Sequence, residues 1–392
     1  MVSQASGSVF IMIGACAYPV SMDNRKHRIA AGISGVNLGN WLVLEKWMSP
    51  SVFADAGGAE DEYSLSRNLA YDELARRLEA HRDTYITEED FACLAAEGID
   101  TVRLPVPFFL FGGCPPYIGC TSYVDKAFAW ANRYGLKILL DLHTVPGSQN
   151  GFDNGGQIGV VSWHTSHKDI AFALSVLDRM ARRYGRDDAL FGIEVLNEPK
   201  LPMRFLKRFY ATAYIRLRRI LPPEKAVVFH DGFNLPGMAA AFLADRRFRS
   251  MDNVYVDTHV YLTFTEQKIE RFLKHTPGMH AGRTPRERHR QLLYTWGIGL
   301  DKLFIRSVDK IVPVIAGEWC AESSVGKLQA SAKGIAEAPR FTSFVAQLHR
   351  EAFPRQFFWS YQIERDPARR DSMRGTWKEF WDWRMCHDAG IV

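Results

Sequence analysis

The 392-residue chain has no large excess of one charge, since 49 Lys and Arg stand against 44 Asp and Glu for a net charge of +5. The basic residues are scattered over polar helix faces, such as those carrying Arg216, Arg218, Arg219 and Arg246 to Arg249. A nucleic-acid-binding protein concentrates such residues on one face or in one run. We therefore expect these arginines to be solvated and the protein to have no nucleic-acid partner.

Cysteine is scarce, with six residues in the whole chain, which is too few for a disulfide scaffold of this length. Cys114 and Cys120 flank a turn-forming stretch and could close a small loop in an exported protein, or could remain free thiols. No spacing of Cys and His matches a metal-binding motif. We expect neither a metal nor another cofactor.

Long apolar runs are also missing. The run Val9–Val20 is too short to cross a bilayer as a helix, and Ala15-Cys16-Ala17 resembles a cleavage site, but no Lys or Arg precedes it. Residues 1–30 are predicted to be a leader, with a secreted or periplasmic location favoured over a cytoplasmic one. An uncleaved leader and a true start at Met22 are the alternatives.

From residue 31 to residue 392, runs typical of strands alternate with runs typical of helices, as in a parallel sheet with crossover helices. Eight strands are a number typical of a closed barrel. The sequence therefore predicts an α/β fold, a single-domain (β/α)8 TIM barrel. The predicted strands are Ile33–Leu38, Thr101–Val106, Lys137–Leu142, Phe191–Leu196, Ala226–His230, Val254–His259, Val312–Ala316 and Gln356–Ser360.

Two carboxylates follow apolar strands of this series. Glu198 lies in Asn197-Glu198-Pro199 after the fourth strand, and Glu318 lies in Gly317-Glu318-Trp319 after the seventh. Buried parallel strands seldom carry a carboxylate, but the C-terminal rim of a barrel is where catalytic residues lie. A pair of carboxylates is what glycosidic bond hydrolysis requires, one as acid and base and one as nucleophile.

Other polar and aromatic residues are predicted at the same rim. Arg103, inside an apolar strand, needs a buried partner and is the best donor for Glu318. Glu318 should be ionised, whereas Glu198 should hold a proton through a raised pKa. The remaining candidates from strand ends are His143, Asn197, His259 and Tyr261, with Trp359 as a platform for a sugar ring.

Several segments resemble glycoside hydrolase family 5, and most closely its exo-β-1,3-glucanase branch. They are Gly35–Trp41, Leu44–Glu45, Trp47–Phe53, Asp61–Tyr63, Tyr85–Phe91 and Pro146–Asn154. The last is the most discriminating, because cellulases of the family generally lack it. Asn40 departs from the pattern, since that branch usually carries Gly there.

The resemblance implies a retaining mechanism on a (β/α)8 barrel without a metal. It makes Glu198 the acid/base and Glu318 the nucleophile. It also implies that Glu45, Asp153 and Asn154 contact the terminal glucose, and that Phe152 and Phe264 clamp the next sugar at the entrance. The substrate-binding set is completed by Arg103, His143, Asn197, His259, Tyr261 and Trp359.

We therefore expect a monomeric enzyme that releases glucose from the non-reducing end of β-1,3-glucans or oligosaccharides, with transfer to another sugar as a side reaction. A β-glucosidase acting on steryl or lipid glucosides is the main alternative. A protein that binds β-glucan without cleaving it is the alternative from a different class.

Overall fold

The computed structural model describes residues 32–261, 287–322, 340–364 and 377–392. The predicted leader and Phe264 lie outside these residues. Among the helices that are described, none is both long and apolar enough to cross a membrane.

Eight parallel strands close into a barrel in which each strand pairs with its neighbours in sequence, and β8 pairs with β1. All eight predicted strands are confirmed, with small shifts at their ends. The strands are β1 Ile33–Asn37, β2 Thr101–Val106, β3 Lys137–Leu142, β4 Leu190–Glu194, β5 Ala226–His230, β6 Val254–His259, β7 Val314–Trp319 and β8 Arg355–Phe358.

Helices connect these strands on the outside of the barrel, so the predicted (β/α)8 fold is confirmed. Within the described ranges they are α1 Glu62–Asn68, α2 Tyr71–Tyr85, α3 Glu88–Ala96, α4 Thr121–Tyr134, α5 His167–Tyr184, α6 Met203–Arg218, α7 Leu235–Ala244, α8 Arg246–Arg249, α9 Glu287–Asp309, α10 Arg340–Ala352 and α11 Trp383–Asp388. Short 3-10 helices are formed by Pro50–Phe53, Asp153–Gly155, Trp163–Thr165 and Trp377–Trp381.

The barrel strands are buried on both faces, as their continuous apolar runs predict. Every residue of β2 is buried, and a cluster that includes Leu139, Val228 and Ile315 forms a separate core among the strands. Gly192 of β4 allows close packing with β5, since a Cβ there would lie 2.5 Å from the carbonyl oxygen of Ala226.

The stretch between β1 and β2 contains α1 and α2. Asp61 caps α1 by accepting the N–H of Ser64 at 2.7 Å, and its other oxygen accepts the N–H of Ile158 at 2.7 Å. This one carboxylate therefore ties α1 to the long loop after β3. Cys114 and Cys120 are free thiols.

His349 in α10 is a buried histidine, and neither of its ring nitrogens has a hydrogen-bond partner among the described residues. Its ring stacks on Trp319, with centroids 4.2 Å apart, and also contacts Phe353. Burial lowers the pKa of His349 to about 3, with the Arg350 charge adding to the effect. Between about pH 3 and about pH 6.5 the His349 ring is therefore neutral in the folded state and protonated in the unfolded chain.

We expect His349→Phe to raise stability most in acid. A histidine whose pKa is lowered by folding destabilises the folded state once the pH falls below its unfolded pKa near 6.5. The substitution should therefore raise the free energy of unfolding by about 2 kcal/mol more at pH 5 than at pH 7. Urea unfolding at both pH values measures it. His349→Asn is the matched control, since it removes the titration without the apolar ring and should show the same acid-dependent gain. An equal effect of His349→Phe at both pH values would contradict the assignment.

Candidate active site

The C-terminal ends of the strands bring the predicted residues to one end of the barrel. Arg103 lies in β2, His259 ends β6, and Glu318 lies in β7. Glu198 follows β4 with a φ of 41°, a left-handed conformation that is strained for a residue with a side chain. His143, Asn197, Tyr261 and Trp359 each follow a strand by a few residues.

One nitrogen of His259 meets both predicted catalytic carboxylates. Its Nδ1 lies 2.7 Å from Glu198 Oε1 and 3.2 Å from Glu318 Oε2. Two oxygens that lie this close to one atom cannot be more than about 5.9 Å apart. The two carboxyl groups therefore face one small space, where a single reacting carbon could lie between them.

Arg103 is a fully buried cation beneath this pair. It donates from Nη1 to Glu318 Oε1 at 2.9 Å, as the sequence predicts. It also forms a two-bond pair with Glu194, at 2.7 and 3.0 Å, and donates to Asn197 Oδ1 at 2.8 Å. Removing either partner of such a buried pair would leave an uncompensated charge, which is strongly destabilising.

Sequence reasoning missed the residues that hold Arg103 and His259. They are Glu194 and Asp141, which pair with Arg103, Asp257, which lies 3.2 Å from His259 Nε2, and Asn37, which accepts from Arg103 at 3.0 Å. The signal was present, since all four are polar residues inside apolar strands. An arginine in such a strand implies carboxylates on neighbouring strands.

The protonation of the two glutamates differs from the expectation. Burial raises the pKa of Glu198, but the hydrogen bond and positive charge of His259 outweigh it and lower the pKa to about 2. Burial also raises the pKa of Glu318, and here the charges of His259 and Arg103 do not cancel it. In the resting site it is therefore Glu198 that is ionised, and the raised pKa belongs to Glu318.

The proton that Glu198 lacks lies on its neighbour. Burial alone would lower the pKa of His259, but the carboxylates of Glu318 and Asp257 raise it well above 6.5. His259 and Glu198 thus share one proton across a 2.7 Å hydrogen bond. For interacting groups this close, the proton belongs to the pair.

The other predicted rim residues support the same carboxylates. Tyr261 donates its hydroxyl to Glu318 Oε2 at 2.6 Å, and its ring stacks on Trp381 with centroids 4.9 Å apart. Asn197 Nδ2 lies 3.2 Å from His143 Nε2, and the His143 ring stacks on Trp359. Because Trp359 is 97% buried, most of its surface packs inside the protein.

Glu45, Asp153 and Asn154 lie around the same pocket. Asn154 Nδ2 donates to Glu198 Oε2 at 2.7 Å. Glu45 accepts from Trp47 Nε1 at 2.8 Å, and burial followed by the nearby Asp153 charge raises its pKa well above the ordinary value. A protonated Glu45 can both donate and accept hydrogen bonds with sugar hydroxyls.

Asn40 fixes the loop that carries Glu45. Its φ of 63° is in the left-handed region, which Asn tolerates better than most residues. Its side chain accepts the N–H of Glu45 at 2.8 Å and donates to Ser49 Oγ at 2.6 Å. Asn40 therefore supplies two side-chain hydrogen bonds that a glycine would lack.

Two exposed aromatic rings lie at the outer side of the pocket. Phe152 and Phe233 are 37% and 51% exposed, and their centroids are 6.3 Å apart at 74°. The sequence predicted Phe152 and Phe264 as a pair, but Phe264 lies outside the described residues. Phe233 was missed, although it follows β5 at the same rim.

Glu198, His230 and His259 have potential ligand atoms within 4.8 Å of one another. Three of the four ring nitrogens already have other partners, and among the described residues His230 Nε2 has none. Both ring nitrogens of His259 face carboxylates, and His230 Nδ1 accepts the N–H of Gly232 at 3.0 Å, which places the ring proton on Nε2. A metal ion would have to displace these protons, so the group is better suited to proton handling.

A family model described as cellulase (glycosyl hydrolase family 5) matches residues 70–364. Among relatives, a glucan 1,3-beta-glucosidase of Blumeria graminis is 40% identical over 60% of this chain and 57% of that protein. A probable glucan 1,3-beta-glucosidase A of Emericella nidulans is 34% identical over 85% and 76%, respectively. A glucan 1,3-beta-glucosidase of Schwanniomyces occidentalis is 31% identical over 92% and 84%. The chain thus spans little more than half of the first relative and most of the other two.

Solved structures share the fold at lower identity. The rutinosidase from Aspergillus niger has a TM-score of 0.70 at 20% identity, over 95% of this chain and 99% of its own. Cel5A of Thermotoga maritima, in complex with cellobiose, has a TM-score of 0.52 at 17% identity, over 92% and 98%. At these identities the likeness supports the barrel fold alone.

We expect His259 to be an imidazolium at pH 7, because the carboxylates around it raise its pKa. Nitrogen NMR of the imidazole rings should show both His259 nitrogens protonated, and Glu318→Gln should lower its pKa. His230 should remain neutral to about pH 3, where burial and the His259 charge have lowered its pKa. His259→Gln assigns the signals. A neutral His259 ring at pH 6 would contradict this assignment.

Proposed function

The chain belongs to glycoside hydrolase family 5, and from this premise we propose that it is a retaining β-glucosidase that releases glucose from the non-reducing end of β-1,3-glucans. The main support for the proposal is that Glu198 and Glu318 both contact the same atom, His259 Nδ1. Retaining glycosidases hold their carboxyl groups about 5–5.5 Å apart, whereas inverting enzymes need about 6.5–9.5 Å to fit a water. The limit of about 5.9 Å favours retention.

In the first step, Glu318 attacks the anomeric carbon and forms a glycosyl ester, while the bond to the leaving oxygen breaks and that oxygen takes a proton from Glu198. In the second step, Glu198 takes a proton from water, and the water oxygen displaces Glu318 to release glucose. Arg103 and Tyr261 donate to the two oxygens of Glu318 and so hold the carboxylate in position for attack.

The hydrogen bond from His259 supplies the proton of the first step. Moving that proton along the 2.7 Å contact leaves a neutral imidazole and a protonated Glu198. Formation of the ester removes the negative charge of Glu318. That charge is the largest of the effects that raise the pKa of His259 and so stabilise its imidazolium form. The attack of the nucleophile and the release of the proton therefore favour one another.

Exo cleavage of β-1,3-glucan is supported by the names of the relatives and by the buried loop that carries Glu45. The exposed Phe152 and Phe233 would also suit an apolar group, so steryl and lipid glucosides are the second candidate substrates. Glucan binding without cleavage is disfavoured, because Glu198, Glu318 and Arg103 are all present and connected by hydrogen bonds. These three candidate functions are distinguished by measuring glucose release from laminari-oligosaccharides, gentiobiose, cello-oligosaccharides and steryl glucoside.

We expect Glu318→Gln to lower kcat on laminaribiose at least about 1,000-fold, because it removes the nucleophile. Glu198→Ala should lose about 100- to 10,000-fold on laminaribiose, the usual value of general acid catalysis, but little on the first step with a dinitrophenyl glucoside, whose leaving group needs no proton. Proton NMR of fresh product should show β-glucose. Release of α-glucose, or an equal loss on both substrates for Glu198→Ala, would refute the assigned roles.

Asn40→Gly should raise KM for laminaribiose about 3- to 10-fold with little change in kcat. It removes two side-chain hydrogen bonds, each contributing about 1 kcal/mol, that position the Glu45 loop. It leaves the catalytic glutamates in place. Asn253→Gly is the control, since Asn253 also has a left-handed φ, 51°, but lies before β6 at the opposite end of the barrel. A KM that is unchanged in Asn40→Gly would mean that the loop holds its position without this side chain.

A further inference from the structure

Lys200 places a positive charge over the Phe152 ring at the outer side of the pocket. It follows Glu198 by two residues, its side chain is exposed, and its Nζ lies 5.3 Å from the centre of the Phe152 ring. Its main-chain N–H donates to the carbonyl of Gln149, which fixes the backbone there at 3.2 Å. The ammonium group is therefore held over the same ring that borders the pocket.

This is the side of the pocket where the aglycone, the group that leaves with the cleaved oxygen, must lie. Glu198 protonates that oxygen, so the aglycone is next to Glu198. Glu45, on the loop after β1, would contact the terminal glucose instead. Lys200, Phe152 and Phe233 thus border the aglycone and not the glucose that is released.

Further cations follow Lys200 in the first turns of α6. Arg204, Lys207 and Arg208 are spaced so that they share one face of the helix, and the stretch 200–223 contains no Asp or Glu. Among the described residues, no carboxylate lies within ion-pair distance of Lys200 or Arg204. The charges of Lys200 and Arg204 are therefore not used in ion pairs within the described part of the fold.

The charge at the entrance is opposite to that of the pocket. Asp153, Glu198 and Glu318 line the pocket, where a further negative group would be repelled. The same group on the second or third unit of the aglycone would instead meet Lys200 and Arg204. The pocket is therefore suited to a neutral sugar, whereas the positive charge at the entrance attracts an anion.

We propose that the entrance formed by Lys200 and Arg204 binds a negatively charged group on the aglycone, so that acidic glucosides are preferred over neutral ones. This inference deepens the proposed β-glucosidase function and rests on it. The attraction acts between exposed charges and is therefore weakened by salt.

Two derivatives of laminaritriose test the preference, one with its reducing end oxidised to the aldonate and one with it reduced to the neutral alditol. Both have an open final unit, so they differ in charge at that end. At about 0.01 M salt the aldonate should have a kcat/KM about 3- to 10-fold higher, and the ratio should approach one at about 1 M, where the screening length is only about 3 Å. Lys200→Gln combined with Arg204→Gln should bring the ratio near one at low salt.

Arg219→Gln is the matched control. Arg219 directly follows α6, about 22 Å along the helix from Arg204, and its substitution should leave the ratio unchanged. A ratio of one or less at low salt, or a ratio that survives the double substitution, overturns the inference. If the alditol releases no glucose, the proposed activity itself has failed. Calorimetric binding of both compounds to Glu318→Gln then decides the inference, with tighter binding of the aldonate supporting it and equal or absent binding refuting it.

Discussion

The site depends on two buried cations that hold an excess of carboxylates together. Arg103 and His259 are surrounded by Glu194, Asp141, Asp257, Glu198 and Glu318. Burial of so many like charges is unfavourable unless cations lie between them. Burial and the neighbouring carboxylates raise the pKa of Glu194 and Glu318, while the two cations act in the opposite direction.

The barrel makes this arrangement possible because it joins residues from distant parts of the chain. Each strand contributes side chains to the same end, so Asn37 of β1 donates to the carbonyl of Gly317 in β7 at 2.9 Å. Gly317 is required there, since a Cβ would lie 2.1 Å from the Asp257 carboxylate. The packing of β6 against β7 and the position of the Asp257 carboxylate therefore both depend on the absence of a side chain at residue 317.

The sequence predicted the strands and the place of the two glutamates at strand ends, because apolar runs and strand-end carboxylates are local patterns. It did not predict the other partners of Arg103, since Glu194 and Asp141 lie within apolar runs and their pairing requires contacts between strands. The pKa order of Glu198 and Glu318 was predicted wrongly for a related reason. It is set by His259, whose distance to each glutamate cannot be read from spacing along the chain.

The stacking of Tyr261 on Trp381 has a practical consequence for where the protein can be shortened. The last strand ends at Phe358, but the wall behind the nucleophile extends to the 3-10 helix that carries Trp381. A fragment designed to finish with the eighth strand would retain the whole sheet and lose part of this wall. The part of the chain that the site needs therefore extends at least twenty residues beyond the last strand of the barrel.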